Sequence, residues 1–379
     1  MKKLNLKVII PILGLIVAAF IIGPSCNIGG PPNLPPPATA TCNSNFMVFQ
    51  NKDISNIATD TYRVHTYQKN NTLDTSVAPN VSGANAFQAS GFLQYGATIY
   101  DSATNLVYNY LPNHNRLIKY NKSSGTFTNT SILSGLRNPF LLNGNLMFLK
   151  FTNITNTNIP SSFQTYISSY NVQIFNESGV ASGSVYTLNF TQGENAQIDE
   201  NSPAIVVSNK VFFLTGGCIG VIDLTSNTAQ AKTIYGDYNY DNKRYFTRGL
   251  KYKDDDNFVV LKLGILPTSF IQVNIINVNN LLNNTTSNYS PAMVLNTTTA
   301  TYSGNVTYTV ASMINKNEYW SCAFDKCDDS YYIGTYEINP NNSALTDSWL
   351  LELKSNSNQY NYRGIGAGSN IFGIEIQQF

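Results

Sequence analysis

A short phrase recurs along the chain at intervals of roughly fifty residues. It consists of a few apolar residues, then an Asn, Asp or Glu, then a turn, as in IGVIDLTSN at 219–227. The apolar residues nearest the turns are Tyr67, Tyr120, Phe175, Ile222, Ile276, Tyr336 and Ile374. The spacing is longer before Tyr336 and shorter after it. An internal repeat of this length predicts an array of similar structural units.

The runs between the turns predict strands. Short apolar and aromatic runs such as NLMFLKF at 145–151 and NFVVLKLGIL at 257–266 are bounded by turn residues. SNK at 208–210 lies between two β-branched runs and predicts a hairpin turn. No long stretch has apolar residues at helical spacing, so we expect only isolated helical turns, for example near 279–284.

A repeat of about 40–50 residues in an all-β chain is typical of a β-propeller, whose blades are four-stranded antiparallel sheets. One such sheet cannot bury both faces, whereas sheets packed radially bury each face against a neighbour. We therefore predict an all-β fold, a β-propeller of about six to eight blades, over residues 45–379. FGIEIQQF at 372–379 is predicted to complete a blade with FMVFQ at 46–50 and to close the ring. A β-sandwich array or a β-helix is the alternative.

The polar residues Asn121, Asp223, Asn277 and Glu337 directly follow apolar markers. Such side chains start turns by accepting hydrogen bonds from nearby backbone amides. GVIDLTSNTAQ at 220–230 and IGTYEINPNNSAL at 333–345 resemble the strand-turn-strand phrases of the quinoprotein-like and surface-layer-type β-propeller families. The Trp that usually ends a quinoprotein repeat follows neither phrase. The resemblance implies a propeller fold over residues 45–379 and no particular activity.

The N-terminus predicts export. A basic MKKLNLK precedes an uncharged apolar run from Val8 to Gly23, so residues 1–26 are interpreted as a signal peptide or membrane anchor with the rest of the chain exported. GPSC at 23–26 resembles a bacterial lipobox, which makes Cys26 the candidate lipidation site; an uncleaved anchor and ordinary cleavage are the alternatives. Residues 27–44, with PPNLPPP, are predicted to form a stiff spacer.

Four cysteines follow Cys26, and an even number in an exported chain favours disulfides. Cys322 and Cys327 are predicted to close a local loop, which leaves Cys42 to pair with Cys218. The chain has a net charge of +1, which offers no electrostatic case for nucleic-acid binding, since such binding would need a clustered basic face.

A weak calcium pattern is formed by Asp237, Asn239 and Asp241, at alternate positions. Asn242 stands where a Gly is expected, so a polar loop is the competing interpretation. The acidic stretches DDDN at 254–257 and DKCDD at 325–329 are either further cation candidates or solvated loop tips. No other cofactor is predicted.

Catalytic residues are not predicted. Glu194, Asp199 and Glu200 are close in sequence, but nothing sets the carboxylate separation that glycoside hydrolysis requires. His65 and His114 lie in strand or turn phrases without a nucleophile elbow. Tyrosines, 24 in all, populate half-exposed strands or stack on sugars or a protein partner.

The sequence therefore predicts an exported binding or scaffold module of the cell envelope, anchored to a membrane through its N-terminus and located in the periplasm or at the cell surface. Its expected partner is an envelope protein or a surface glycan. Two alternatives remain: an envelope glycoside hydrolase or lyase on the same fold, and a structural surface-coat protein.

Overall fold

The structure is a computed structural model, and the segments that it describes lie between residues 45 and 377. They are 45–51, 62–68, 73–77, 97–112, 115–158, 165–190, 202–234, 245–264, 270–283, 289–295, 299–301, 307–309, 321–327, 329–338, 345–354, 360–367 and 370–377. The predicted anchor and spacer, residues 1–44, lie outside them. In the described part of the chain the regular structure consists of 26 strands and one short helix.

The strands form six four-stranded antiparallel sheets within the described residues, which we call blades 1 to 6 and give from the innermost strand outwards. Blades 1 to 3 are β26 (Asn370–Gln377), β1 (Asn45–Asn51), β2 (Tyr62–Gln68), β3 (Leu73–Val77); β4 (Ala97–Asp101), β5 (Leu106–Leu111), β6 (Arg116–Asn121), β7 (Thr126–Ser131); and β8 (Leu136–Leu142), β9 (Asn145–Asn158), β10 (Thr165–Asn176), β11 (Ala181–Asn189).

Blades 4 to 6 follow the same order. They are β12 (Ile205–Val207), β13 (Lys210–Thr215), β14 (Cys218–Asp223), β15 (Thr228–Thr233); β16 (Tyr245–Asp254), β17 (Asn257–Gly264), β18 (Phe270–Asn277), β19 (Tyr289–Leu295); and β22 (Ser321–Asp325), β23 (Ser330–Ile338), β24 (Leu345–Lys354), β25 (Tyr360–Ala367). A two-stranded sheet, β20 (Thr299–Thr301) with β21 (Thr307–Thr309), lies between blades 5 and 6 in sequence.

The blades close into a ring. The innermost strands β26, β4, β8 and β12 contact one another in that order, β16 contacts β22, and β22 contacts β26; blades 4 and 5 meet through β13 and β16. The protein is therefore a β-propeller built from four-stranded blades, and the sandwich and β-helix alternatives are excluded for the described residues.

Blade 1 is assembled from both ends of the described chain. β26 pairs antiparallel with β1, with Asn45 opposite Gln377 and Asn51 opposite Asn370. The predicted closure of the ring by FGIEIQQF and FMVFQ is confirmed. Since β26 also contacts the innermost strands of blades 2 and 6, it holds together the point where the ring would otherwise be open.

The repeated phrase marks the third strand of a blade. Tyr67, Tyr120, Phe175, Ile222 and Ile276 lie on the third strands of blades 1 to 5. Tyr336 lies instead on the second strand of blade 6, and Ile374 lies on β26 of blade 1. The last two positions explain the irregular spacing, because these markers do not occupy the third position of a blade.

The predicted turn chemistry is present. The Asn121 carboxamide accepts hydrogen bonds from the amides of Ser123 (2.9 Å) and Ser124 (3.1 Å), and the Asp223 carboxylate accepts from Thr225 (2.9 Å) and Ser226 (3.1 Å). Asn277 caps the helix α1 (Val278–Leu282), with its side chain accepting from Asn280 at 3.0 Å. The predicted helical turn near 279–284 is therefore confirmed.

The hairpin predicted at SNK is also present. Val207 pairs with Lys210, and the two turn residues between them, Ser208 and Asn209, have φ of 48° and 59°. Positive φ at both central residues is the geometry that joins two strands without splaying them.

The core lies between the blades, and β13 shows how one apolar strand fills two interfaces. Val211 and Phe213 pack into the cluster shared with blade 3, whereas Phe212 and Leu214 pack into the cluster shared with blade 5. Successive side chains of a strand point to opposite faces, so a strand buried on both faces must be apolar at every position. This requirement explains the continuous apolar run VFFL at 211–214.

Tyrosines join the blades through buried hydroxyl groups. Tyr110 of blade 2 donates to the carbonyl of Leu136 in blade 3 at 2.6 Å, and Tyr331 of blade 6 donates to the carbonyl of Gly249 in blade 5. Both tyrosines are at most 1% exposed. The interpretation that tyrosine populates half-exposed strands is wrong for these side chains, which bridge two blades with apolar rings and polar ends.

Candidate functional site

A groove of about 520 Å³ lies between blades 2 and 3. Blade 2 contributes Tyr108 and Lys119, from the adjacent strands β5 and β6. Blade 3 contributes two turns and the strand ends beside them, which are residues 144–147, 176–178 and 180–182. The groove is therefore formed only when two neighbouring blades pack together.

An ion pair crosses the groove. The Nζ of Lys119 lies 2.5 Å from the Oε2 of Glu177, and the two side chains are 26% and 42% exposed. Lys119 Nζ also lies 5.9 Å from the centre of the Tyr108 ring, a cation–π contact. Burial raises the pKa of the Tyr108 hydroxyl, and the carboxylates of Asp101 and Glu177 raise it further, so Tyr108 remains a neutral hydroxyl at neutral pH.

Two tight turns position the blade 3 side of the groove. Asn143 and Gly144 join β8 to β9 with φ of 52° and 75°, the conformation of a two-residue hairpin. In the other turn the Asn176 side chain accepts from the Val180 amide at 2.9 Å, and the Gly179 amide donates to the Asn176 carbonyl at 3.0 Å. These bonds fix the backbone on both sides of Glu177.

The groove presents both hydrogen-bond donors and hydrogen-bond acceptors. Amides and hydroxyls come from Asn145, Asn176, Ser178 and Ser182, beside the Lys119–Glu177 pair. Val180 is 60% exposed at its rim. Hydroxyl-rich ligands are recognised by amide and charged groups of this kind, whereas an apolar ligand would leave them unpaired.

The acidic stretches 254–257 and 325–329, predicted as cation sites or loop tips, contain carboxylates that stabilise turns of the fold. Asp254 accepts hydrogen bonds from the Asp256 amide at 3.0 Å and the Asn257 side chain at 2.8 Å. Asp325 accepts from the Cys327 amide at 2.9 Å. These carboxylates act as turn-starting side chains at the ends of two innermost strands.

The same two turns are linked to each other. Lys253 of blade 5 forms an ion pair with Asp329 of blade 6, and the Lys326 Nζ of blade 6 lies 4.1 Å from the centre of the Tyr252 ring in blade 5. Among the described residues no group of three or more His, Cys, Asp or Glu is arranged to hold a metal ion. Asp237, Asn239 and Asp241 lie outside the described segments, and calcium binding there remains a prediction.

The positions of Cys218 and Cys322 in the structure contradict the predicted disulfides. Cys218 and Cys322 are buried thiols, so neither the Cys322–Cys327 pair nor the Cys42–Cys218 pair is formed. Cys218 packs in the core between blades 3 and 4. Cys322 is 7% exposed on β22, whereas Cys327 is exposed in the following turn, so one sulfur is directed into the core and the other residue faces solvent. Cys26 and Cys42 lie outside the described residues.

The remaining candidates are not brought together by the described structure. His65 lies on β2, and His114, Glu194, Asp199 and Glu200 fall in segments that the structure does not describe. None of the helices in the described residues is long and apolar enough to cross a membrane.

The fold and the groove define a β-propeller with a polar cleft between two blades. No protein-family model matches the sequence, and no curated protein is significantly similar to it. Among solved structures, the chain is similar to a protein from Lactobacillus plantarum, with 9% identity, 89% of this chain and 99% of that chain covered, and a TM-score of 0.40. It is also similar to AztD from Citrobacter koseri, with 10% identity, coverages of 89% and 98%, and a TM-score of 0.39.

A third similar structure is a streptogramin B lyase, with 12% identity, 85% of this chain and 88% of that chain covered, and a TM-score of 0.39. Similarity at this level does not indicate a shared activity or ligand.

The groove was not predicted from the sequence. Lys119 and Glu177 lie on different blades, and no local sequence pattern indicates which residues of one blade contact the next blade. One signal was present: in NESG at 176–179 a carboxylate directly follows the turn-starting Asn, where NKSSG has a Lys and DLTSN has a Leu.

Proposed function

We propose that the protein is an exported binding or scaffold module of the cell envelope, tethered to a membrane through its N-terminal segment, and that the groove between blades 2 and 3 binds a surface glycan. The observation that carries the proposal is the ion pair of Lys119 and Glu177, held across a cleft lined by amides and hydroxyls. The basic residues and apolar run at 1–26 support export and tethering.

The chemistry of the groove favours a glycan over an apolar ligand. A carboxylate accepts hydrogen bonds from two sugar hydroxyls, and asparagine side chains both donate and accept. The turns around Asn143 and Asn176 fix the positions of these groups, so little conformational entropy is lost when a ligand orders them.

The same lining supports binding more than glycoside hydrolysis. Hydrolysis requires two carboxyl groups on opposite sides of the scissile bond. Among the residues that line the groove, Glu177 supplies the carboxylate, and Lys119 already neutralises it. The described residues that line the groove contain no second carboxyl group to complete such a pair.

The proposal is tested by measuring the binding of the detergent-solubilised full-length protein to an array of envelope polysaccharide fragments. Glu177→Gln keeps the shape of the side chain and removes its charge, and Lys119→Met removes the cation. Each is expected to weaken binding by about tenfold, the effect of losing one charge-assisted hydrogen bond.

The matched control is Lys210→Met, which breaks the 2.7 Å ion pair of Lys210 with Asp223 in blade 4, away from the groove. It is expected to leave binding unchanged. Equal binding by the wild type and both groove variants would contradict the proposal. Release of shortened glycans would favour the hydrolase or lyase alternative, and large protein assemblies without glycan binding would favour the surface coat.

A further inference from the structure

Lys119 and Glu177 are the charged side chains among the described residues that line the groove. Their ion pair, 2.5 Å from Nζ to Oε2, balances one positive charge with one negative charge. Both side chains are partly exposed, so a ligand can reach them without breaking the pair. The lining therefore offers a ligand a site that is neutral as a whole and contains two charged groups.

The ion pair keeps hydrogen-bonding capacity on both of its members. A carboxylate has two oxygens, and the contact with Lys119 involves Oε2 of Glu177, so Oε1 can accept from a ligand. An ammonium group has three N–H donors, more than one carboxylate contact uses. A ligand that donates one hydrogen bond and accepts another at neighbouring positions matches this arrangement. Two hydroxyl groups on adjacent ring carbons of a sugar do so, because each hydroxyl is both a donor and an acceptor.

The surrounding residues hold the pair in place. The Nζ of Lys119 lies over the ring of Tyr108, at 5.9 Å from its centre. The hydrogen bonds of Asn176 with the amides of residues 179 and 180 fix the backbone beside Glu177. Groups that are already positioned lose little conformational entropy when a ligand binds. A charged ligand therefore has to compete with an ion pair that the fold itself maintains.

A second carboxylate acts on the same part of the groove. Asp101 is 5% exposed, and its carboxylate accepts hydrogen bonds from the Ala103 amide at 3.0 Å and the Thr104 hydroxyl at 2.6 Å. Burial raises the pKa of the Tyr108 hydroxyl, and the charges of Asp101 and Glu177 raise it further, which places both carboxylates near one ring. The negative charge in this region therefore exceeds that of the groove lining alone, and it disfavours an acidic ligand.

From these contacts we infer that the groove selects neutral, hydroxyl-rich glycans and discriminates against glycans built from uronic acids or amino sugars. The inference rests on the proposed glycan-binding function and narrows its ligand class. A uronate that binds Lys119 has to displace Glu177, and an ammonium that binds Glu177 has to displace Lys119. Sugar hydroxyls bind beside both members of the pair and displace neither. The ion pair thus provides attraction for one ligand class and repulsion against the two others.

The test measures the affinity of the detergent-solubilised full-length protein for matched hexasaccharides by isothermal titration calorimetry. Hexamers of glucose, galactose and mannose represent the neutral class. Their acidic and basic counterparts are the uronic-acid and 6-amino-6-deoxy hexamers, which differ from them at carbon 6 and keep the ring hydroxyls. The wild type is expected to bind at least one neutral hexamer at least about tenfold more tightly than its charged counterparts.

The possible failures can be told apart. A wild type that prefers a charged hexamer, or binds all three classes equally, would overturn the inference and leave the proposed function intact. Absence of binding to every hexamer would also overturn the inference. Absence of binding to the polysaccharide array as well would contradict the proposed function itself.

Variants separate charge selection from a merely structural role of the pair. Glu177→Gln leaves the cation of Lys119 without its counter-charge, so it is expected to weaken binding of the neutral hexamer and strengthen binding of the acidic one, each by about tenfold. Lys119→Met is expected to weaken neutral binding and strengthen binding of the basic hexamer to the same extent. Lys210→Met, away from the groove, should keep the wild-type order of affinities. An equal loss for all three classes in both groove variants would mean that the pair only shapes the groove, and would overturn the inference.

Discussion

The hydroxyl of Tyr170 in blade 3 donates a 2.9 Å hydrogen bond to Oγ1 of Thr215 in blade 4. Both residues are fully buried, and burial raises the pKa of Tyr170 well above its usual value. The Tyr170 ring packs edge-on against Phe151, at 5.1 Å between ring centres. One side chain thus contributes apolar area and a hydrogen bond to the same blade interface.

Tyr170→Phe is expected to lower the free energy of unfolding by about 1–2 kcal/mol, because it leaves the buried hydroxyl of Thr215 without this donor. Tyr186→Phe is the control, since the Tyr186 hydroxyl bonds to the exposed Asn227, which water can satisfy. Its expected cost is less than about 0.5 kcal/mol. Urea unfolding measures both, and equal costs would contradict a role for the buried bond.

Gly220, within the repeated phrase, is required for packing. A Cβ at this position would lie 2.2 Å from the ring of Phe213, the residue opposite it on β13. Gly220→Ala is expected to cost at least about 2 kcal/mol, because neither the ring nor the strand has room to move. The measurement is the urea midpoint with an unchanged slope.

Phe213→Leu should relieve this clash, so Gly220→Ala is expected to cost less in that background than in the wild type. Gly125→Ala is the contrasting case: its Cβ would meet nothing within 4 Å, and its cost arises from a φ of +67°. That cost, about 1–2 kcal/mol, should be the same in both backgrounds. Equal costs of Gly220→Ala in both backgrounds would exclude the steric explanation.

The repeat could be predicted because it depends on local chemistry. Asn121, Asp223 and Asn277 accept hydrogen bonds from amides two or three residues ahead, and such short-range bonds leave a mark in the sequence. The closure of blade 1 was also predictable, because FGIEIQQF and FMVFQ have matching strand patterns at the two ends of the propeller region.

Contacts between blades could not be predicted in the same way. Whether Cys322 faces Gly249 or the turn at Cys327 depends on which face of β22 carries each side chain, and a run buried on both faces, such as SCAFD, has no polar alternation to show it. The groove has the same origin, since Lys119 and Glu177 meet only after two blades pack.

Asp223 should make stability depend on pH in the acid range. Its hydrogen bond with Lys210, followed by the amide bonds of its turn, lowers its pKa from 3.8 to about 2. A carboxyl with a lower pKa in the folded state stabilises the fold above its unfolded pKa. This contribution is lost as pH falls through the folded pKa, so the window lies between about pH 4 and pH 2.

Asp223→Asn tests this dependence, because Asn121 shows that an asparagine can hold the same turn in blade 2. The wild type is expected to be slightly more stable than the variant at pH 7, with the difference shrinking below about pH 4 and vanishing only below about pH 2. Urea unfolding at several pH values measures the difference. A constant difference across this range would show that the ion pair with Lys210 contributes nothing that titrates.

Removal of β26 should open the ring. A chain that ends at Ala367 leaves the inner edge of β1 without its ladder partner and removes the contacts of β26 with β22 and β4. Hydrogen exchange followed by mass spectrometry is expected to show faster exchange in β1 and β22, while β13 and β14 on the opposite side of the ring change least. The truncated chain should also aggregate more readily, since an unpaired strand edge templates pairing with another chain.

A chain ending at Gln377 keeps all of β26 and serves as the control, with exchange expected to match the full-length protein. Unchanged protection of β1 in the shorter chain would mean that the remaining blades hold the ring closed without this strand.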